Sequence, residues 1–379
     1  MTAGHSCFAI TAPGLETLVA GELTALGIPP GTLEPGGVAF EATPRQLFQA
    51  NLELRTASRI VVRLAEFSAR AFYELERKAK RVPWTGIVSP GTPVRFRVTS
   101  RKSRLYHLDG IAERLHASVD GERPRVGRID PDAADPEDPD VHAAEQLFLV
   151  RIVRDVVTIS ADSSGALLHR RGYRLAGARA PLRETLAAAM LIGAGFDGTQ
   201  SLLDPFTGSG TIPIEAALLA RRIAPGSRRG FAIERWPSFD PAIASELRAV
   251  AESRVLARAP RPIVGADRDA GAIASATGNA ERAGVAGDVD FRTAALSAVI
   301  PPDENGLVVT NPPYGIRIGA RGDLRDLYAA LGALLREKWS GWGLAMLSAD
   351  RQLTDSLGLP VAVRWESTNG GIPVALVTA

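Results

Sequence analysis

The sequence lacks the residues on which disulfide-bonded and zinc-bound proteins depend. Cys7 is the only cysteine among 379 residues, so no disulfide can form within the chain and a zinc–thiolate cluster is excluded. The five histidines show no metal-ligand spacing, and we expect no metal. A charged-then-apolar leader and an apolar run long enough to cross a bilayer are also missing, which favours a cytoplasmic protein without a membrane partner.

Neither sign of charge is in large excess over the whole chain, but some segments carry a strong local excess. The net charge of +2 alone says little about nucleic acid as a partner. Residues 70–128, however, carry 14 Lys or Arg against six Asp or Glu, and residues 168–183 carry five Arg and no acid. Residues 130–140 hold six acids and three prolines, which predicts a solvated loop that repels RNA.

The first basic segment contains an alternating stretch at residues 93–104. Val94 and Phe96 would fall on one face of a strand, with Arg95 and Arg97 on the other. Such a face either contacts phosphates or is simply solvated, and the pattern leaves both readings open. The candidate RNA-binding residues in the two segments are Arg95, Arg97, Arg101, Lys102, Arg104, Arg170, Arg171 and Arg174.

The segment Asn311-Pro312-Pro313-Tyr314 follows an apolar run, residues 306–310, that predicts a buried strand. The Asn311 side-chain oxygen and the Pro312 carbonyl can each accept an N–H from an exocyclic base amine and raise the electron density on its nitrogen. The two prolines restrict the backbone, and Tyr314 offers a ring on which a base can stack. Alone, a proline pair after a strand is typical of a plain turn.

A second motif occupies residues 201–211, where a short apolar strand leads through a glycine-bearing turn into a helix. Asp204 stands at the predicted strand tip, and Gly208 and Gly210 allow close backbone approach to a ligand. A P-loop is excluded because no Gly-Lys-Ser/Thr follows, and the spacing of the dinucleotide fingerprint is absent. The pattern predicts a nucleotide-binding corner of a doubly wound sheet.

A third strand, residues 262–267, ends in Asp267, whose carboxylate could accept both hydroxyls of a ribose. A helix is predicted from Asp269 to Ala283, closed by Gly284. The interval between Asp204 and Asp267 is about three times the usual ~20 residues of dinucleotide folds, so an insertion must lie between the two strands.

The order of these three strand tips resembles the class I S-adenosylmethionine-dependent methyltransferases that act on exocyclic amines of bases. The segment 167–188 narrows the likeness to THUMP-containing RNA guanine-N2 methyltransferases, and residues 14–16, 36–40, 51–59 and 369–372 fit the same family. The chain resembles the bacterial 23S ribosomal RNA branch more than the tRNA branch. The resemblance therefore implies RNA as the partner and S-adenosylmethionine as the cofactor.

The resemblance also implies a role for each motif residue. Asn311, Pro312, Pro313 and Tyr314 would handle the target guanine as the catalytic segment. Asp267 would hold the ribose of the methyl donor, and Glu184 and Thr185, in a helix begun by Pro181, would close the donor pocket. The remaining donor-binding candidates, at the first strand tip, are Asp204, Pro205, Phe206, Gly208, Gly210 and Thr211.

One position departs from the family pattern. The family carries an Asp four residues after the aromatic of the third strand, where it binds the adenine amino group; counting from Phe291, that position is Ala295. A lost hydrogen bond of this kind costs about 0.5–1.5 kcal/mol, which weakens donor binding without abolishing it. Ser297 or the backbone would supply the contact instead.

The fold class expected is α/β, a C-terminal Rossmann-like sheet of seven strands preceded by an α+β ferredoxin-like and THUMP module. Strands are predicted near residues 202, 264, 290, 308, 344, 362 and 375, and a hairpin turned at Arg154-Asp155 closes the first module. The expected domains are a ferredoxin-like region at 1–60, a THUMP domain at 61–165 and a methyltransferase domain at 166–379.

Three alternatives to a 23S ribosomal RNA guanine-N2 methyltransferase remain open on the sequence. A tRNA enzyme would share all the motifs. A DNA adenine-N6 methyltransferase uses a similar tetrapeptide but would need a target-recognition domain in place of the THUMP-like first half. A non-catalytic RNA-binding assembly factor is suggested by Ala295.

Overall fold

The structure is a computed structural model that describes residues 4–119, 145–174, 182–314 and 321–379. The acidic stretch 130–140 and Pro181 lie outside the described residues. The chain divides into two compact units that do not follow continuous domain boundaries. The first comprises Met1–Thr11, Ala20–Leu168 and Arg229–Arg248; the second comprises Ala12–Val19, His169–Arg228 and Ala249–Ala379.

The first half of the chain forms a mixed seven-stranded sheet with the order β2-β3-β1-β4-β7-β6-β5. All neighbours pair antiparallel except β5 and β6, which are parallel. The elements in chain order are β1 (His5–Ile10), α1 (Glu16–Ala25), β2 (Pro30–Glu34), β3 (Gly37–Ala42), α2 (Pro44–Glu53), β4 (Arg59–Ser68), α3 (Phe72–Ala79), β5 (Val94–Arg101), α4 (Leu108–His116), β6 (Gln146–Val153) and β7 (Val156–Asp162).

Two predictions for this half are confirmed. The hairpin between β6 and β7 turns at Arg154 and Asp155, both left-handed at φ 51° and 64°, as a two-residue turn requires. Strand β5 buries Val94 and Phe96 and leaves Arg95 and Arg97 half-buried, because successive side chains of a strand point to opposite faces.

The second half forms the predicted seven-stranded sheet, with the order β10-β9-β8-β11-β12-β14-β13. The strands β10, β9, β8, β11 and β12 are parallel, and the last two form an antiparallel hairpin. The elements are α5 (Glu184–Gly193), β8 (Leu202–Asp204), α6 (Thr211–Ala220), α7 (Pro241–Ser253), β9 (Ile263–Asp267), α8 (Ala270–Ala283), β10 (Val289–Thr293), β11 (Gly306–Thr310), α9 (Arg321–Glu337), β12 (Trp342–Ser348), α10 (Arg351–Asp355), β13 (Ala362–Asn369) and β14 (Ile372–Thr378).

The core of this sheet lies on both of its faces. Val309 packs into the cluster formed with α5, α6 and α8, whereas Val308 packs into the cluster formed with α9. The period of two in a strand explains this division, and helices on both faces explain why β8 and β11 read as unbroken apolar runs.

The helix after Asp267 is confirmed with its caps. The Asp269 side chain accepts hydrogen bonds from the backbone N–H of Gly271 and Ala272, and Gly284 ends the helix at φ 74°. Helix α5 begins at Glu184, so the prediction that Pro181 starts it is wrong: Arg183 has the extended backbone of an N-cap. Among the helices of the described residues, none has the length and apolarity that a membrane span needs.

The predicted insertion between β8 and β9 is present. It contains a short 3₁₀ turn (Ala232–Arg235) and α7. Its central part, Arg229–Arg248, belongs to the first compact unit. Trp236 anchors it there, because its indole N–H donates to the Gln146 side chain at 2.8 Å.

Candidate active site

The order of strands in the second sheet creates a switch point at β8. From β8 the chain continues to one side through β9 and β10 and then crosses to the other side through β11 and β12. In such sheets ligands bind in the crevice outside the carboxyl ends of the strands at this point. Asp204 ends β8 and Asn311 directly follows β11, so two of the predicted motifs lie on either side of the crevice.

A buried hydrogen bond joins the two strand ends. The hydroxyl of Thr310 donates to Oδ1 of Asp204 at 2.6 Å, and both residues are almost fully buried. The backbone N–H of Phe206 donates to the same oxygen at 3.2 Å. Burial raises the pKa of Asp204 to about 7, although these two hydrogen bonds oppose the shift and the nearby charge of Asp267 adds to it.

Replacing Asp204 with Asn should reveal this burial in the pH dependence of stability. Between its ordinary pKa of 3.8 and about 7, the folded chain holds a proton that the unfolded chain has lost. The carboxyl therefore lowers the free energy of unfolding progressively as the pH rises through this window, and the full penalty persists above it. We expect the wild type to lose on the order of 4 kcal/mol relative to the variant between pH 4 and pH 8, at 1.36 kcal/mol per pKa unit.

Urea unfolding of both proteins across this pH range measures the effect. The Asn side chain keeps an oxygen acceptor for Thr310, so a constant offset between the two proteins reports packing alone. A difference in unfolding free energy that did not change with pH would contradict the assignment.

The turn between β8 and α6 is held by the next strand. The backbone N–H of Gly208 donates to Oδ2 of Asp267 at 2.9 Å, and that of Thr207 donates to the Ala266 carbonyl at 2.9 Å. Gly208 and Gly210 have positive φ, 51° and 84°. A Cβ on Gly210 would meet Ala276 Cβ at 2.9 Å, whereas one on Gly208 would meet no heavy atom within 4 Å. Gly208 thus borders open space in the described structure, and Gly210 allows close packing.

Alanine at these two glycines should separate ligand binding from packing. Gly195, at φ 76° and with no heavy atom within 4 Å of an added Cβ, is the matched control because all three share the left-handed strain. We expect Gly210→Ala to lose about 1–3 kcal/mol of stability beyond the control. Gly208→Ala should match the control in stability but bind S-adenosylmethionine about tenfold more weakly, because a methyl group enters the open space.

Urea unfolding and calorimetric titration with S-adenosylmethionine measure the two quantities. Unchanged donor affinity in Gly208→Ala, at the stability of the control, would place the donor elsewhere.

The helix N-termini beside this turn are linked by Arg174. Its guanidinium donates to the Leu182 carbonyl at 3.0 Å and to the Thr211 hydroxyl, and its Nε lies 3.6 Å from Oε1 of Glu184. Burial raises the pKa of Glu184 to about 7, and the charge of Arg174 opposes that shift. Oε2 of Glu184 is buried without a hydrogen-bond partner in the described structure. Thr185 is buried next to it.

Arg171 is likewise engaged inside the second unit. Its Nε lies 3.5 Å from Oε1 of Glu215, which also accepts a hydrogen bond from the Tyr173 hydroxyl at 3.1 Å. The Arg171 side chain is 3% exposed. Arg171, expected from the sequence to contact RNA, therefore makes a buried ion pair instead of lying on the surface. Arg174, expected to do the same, is half-buried like Arg170, and its guanidinium faces the buried Glu184.

The segment after β11 is held at its distal end and left unpaired at its start. The Tyr328 hydroxyl on α9 donates to the Pro313 carbonyl at 3.3 Å, and Nδ2 of Asn369 donates to the Tyr314 hydroxyl at 3.0 Å. Pro312 is buried. Oδ1 of Asn311 is buried with no hydrogen-bond partner in the described structure. An unsatisfied buried acceptor is costly, and here it is the atom that the predicted chemistry needs.

The basic residues of β5 and the following turn have different environments. Arg95 pairs with Glu145 at 3.3 Å. Arg97 lines a cavity of about 330 Å³ on the open face of the first sheet. Arg101, Lys102 and Arg104 are exposed and remain available to a polyanion.

The sequence analysis did not find the contacts that four residues of the second unit make: Thr310, Tyr328, Asn369 and Arg174. Thr310 directly precedes Asn311, so its neighbourhood could have been inferred. The other three act across the fold and have no local signal.

Two family models match the chain. One, described as the RMKL-like methyltransferase domain, matches residues 171–377. The other, the RlmL ferredoxin-like domain, matches residues 6–61. The first covers the second sheet with every motif residue at its carboxyl edge, and the second runs from β1 to the start of β4.

Similar proteins match over nearly the whole chain. A putative RNA methyltransferase of Synechocystis, slr0064, is 34% identical over 98% of this chain and 95% of its own length. The ribosomal RNA large subunit methyltransferase K/L of Psychromonas ingrahamii is 36% identical over 98% of this chain and 49% of its own length, so the chain spans about half of that relative. A solved structure of a putative methyltransferase, SMU.472, complexed with SAH, is 27% identical, with a TM-score of 0.87 over 100% of this chain and 98% of that one.

Proposed function

The chain belongs to the RMKL-like methyltransferase family, and we propose that it methylates the exocyclic N2 amine of a guanosine in 23S ribosomal RNA with S-adenosylmethionine as donor. The observation that carries the proposal is the unpartnered Oδ1 of Asn311 beside the crevice at β8. Relatives named for RNA and for large-subunit ribosomal RNA support the substrate.

The residues of the crevice fit the donor. The amino group of S-adenosylmethionine needs an acceptor, and Oε2 of Glu184 and Oγ1 of Thr207 are buried without partners in the described structure. Asp267 holds the backbone through its oxygens, but a carboxylate has lone pairs left for ribose hydroxyls. Open space beside Gly208 lets the donor approach the backbone. When bound, the donor supplies an electrophilic methyl group on a sulfonium.

The chain's own residues prepare the target amine. Asn311 Oδ1 and the Pro312 carbonyl accept its two N–H groups, which pushes electron density onto the nitrogen. Tyr314 provides the ring on which an unstacked guanine lies, and Tyr328 fixes the loop through Pro313. The amine nitrogen loses a proton after the new bond forms, so no strong base is required. Positioning and charge redistribution supply most of the rate.

Basic residues in each half of the chain would contact the RNA backbone. In the first half, Arg101, Lys102 and Arg104 are exposed, within the proposed THUMP domain at residues 61–165. In the second half, Arg170 is the candidate contact. We assign Arg171 and Arg174 to positioning, because the buried carboxylates of Glu215 and Glu184 engage their guanidinium groups.

Mass spectrometry of nucleosides from a strain lacking this gene tests the proposal. One N2-methylguanosine should disappear from 23S ribosomal RNA and return with a plasmid copy of the gene. Loss of a methylguanosine from tRNA with intact 23S ribosomal RNA would refute the ribosomal assignment. No change in either RNA would refute the proposed activity.

A further inference from the structure

Asn369 stands at the carboxyl end of the edge strand β13, far along the chain from Asn311. Strand β14 runs antiparallel to both β12 and β13, so β13 has the same direction as β11 and β12. The carboxyl end of β13 therefore lies at the same edge of the sheet as that of β11. This topology brings Asn369 to the edge from which the segment 311–314 leaves its strand.

One hydrogen bond then joins the hairpin to that segment. Nδ2 of Asn369 donates to the Tyr314 hydroxyl oxygen at 3.0 Å. The Tyr314 ring packs against the cluster that includes Tyr328 and Leu324 of α9. Apolar contacts thus hold the ring while Asn369 holds the hydroxyl, so the ring is fixed at two places. A phenol oxygen that accepts from an amide also keeps its own proton to donate elsewhere.

The turn beyond Asn369 consists of two glycines with open space around them. Gly370 and Gly371 have φ 58° and 83°, and a Cβ on either would meet no heavy atom within 4 Å. The hairpin tip next to Tyr314 therefore borders open space in the described part of the chain.

We propose that Asn369 is a positioning residue for methyl transfer and acts through Tyr314. The inference rests on the proposed function, in which the target base stacks on Tyr314. The ring sets the plane of the base, and that plane sets where the exocyclic amine lies relative to Oδ1 of Asn311. A displacement of about 1 Å at a reacting centre can cost two orders of magnitude in rate. Asn369 therefore affects turnover of RNA and leaves donor binding unchanged.

A double-mutant cycle on the full chain tests this role. Asn369→Ala, Tyr314→Phe and the double variant are assayed with labelled S-adenosylmethionine and 23S ribosomal RNA from a strain lacking the gene. Asn369→Ala should lower kcat/KM for RNA about tenfold, the effect of one lost hydrogen bond. The double variant should lie within about twofold of Tyr314→Phe, because the hydroxyl is the group through which Asn369 acts.

The control is Gln352→Ala, which removes another amide that makes one exposed hydrogen bond, from Arg325 at 3.3 Å. Its kcat/KM should equal the wild type, and the calorimetric donor Kd should stay within about twofold in every variant. Two outcomes would overturn the positioning role. One is a loss of kcat/KM in the double variant that equals the product of the two single losses, and the other is a donor affinity that falls as much as kcat/KM. Wild-type protein inactive on every RNA would overturn the proposed function and this inference with it. Active wild type with an unimpaired Asn369→Ala would overturn the inference alone.

Discussion

Replacing Asn311 with Ala is expected to lower kcat for methyl transfer about 100- to 1000-fold, the usual effect of removing one preorganised polar partner of a transition state. The side-chain oxygen of Asn311 is buried and has no partner in the described structure, so it is available for an incoming N–H. The donor site that we propose lies across the crevice, at the ends of β8 and β9. The calorimetric Kd for S-adenosylmethionine should therefore stay within about twofold of the wild type.

Asn305 supplies the matched control for this experiment. It is an exposed asparagine in the loop before β11, on the opposite end of the same strand. Asn305→Ala should keep kcat and donor affinity. Near-native turnover of Asn311→Ala, or equal losses in both variants, would show that the amide does not polarise the target amine.

Replacing Arg174 with Ala is expected to destabilise the protein by about 1–3 kcal/mol, because it removes the donor for the Leu182 carbonyl and the Thr211 hydroxyl and the cation beside the buried Glu184. The Arg174 and Glu184 side chains are 16% and 4% exposed. The same change releases the N-termini of α5 and α6, which Arg174 joins through Leu182 and Thr211. We therefore expect weaker binding of S-adenosylmethionine together with the lower unfolding free energy.

Arg104→Ala is the control, since Arg104 is an exposed arginine of the first basic segment that we propose contacts RNA. Removing a residue that contacts RNA raises KM for RNA and lowers the salt dependence of binding without moving the midpoint of urea unfolding. That result is expected for Arg104. The same result for Arg174, with unchanged unfolding and donor affinity, would indicate that Arg174 contacts RNA and would contradict its positioning role.

The fold was predictable where the signals are local. An apolar run such as residues 306–310 predicts a buried strand, and Asp269 and Gly284 mark a helix at both ends. The strand tips also followed from the sequence, because polar residues directly after buried strands of a parallel sheet must meet at one edge. Asp204, Asp267 and Asn311 are placed accordingly.

The contacts that fix these residues were not predictable in the same way. Tyr328 and Asn369 reach the loop 311–314 only because α9 and β13 fold back beside β11. The basic residues Arg170, Arg171 and Arg174 look like one surface in the sequence. In the structure, however, two of them face the buried carboxylates of Glu215 and Glu184. The distribution of charge along a sequence does not show whether a buried acidic residue from another element pairs with a basic one.

Methylation by the purified chain tests the central claim most directly. The chain is incubated with labelled S-adenosylmethionine and, separately, with 23S ribosomal RNA lacking the modification, with tRNA and with DNA, and the labelled nucleoside is identified by mass spectrometry. The account predicts N2-methylguanosine in 23S ribosomal RNA and almost none when Asn311 is Ala. Labelled N6-methyladenine in DNA, or no transfer to any of the three, would contradict it.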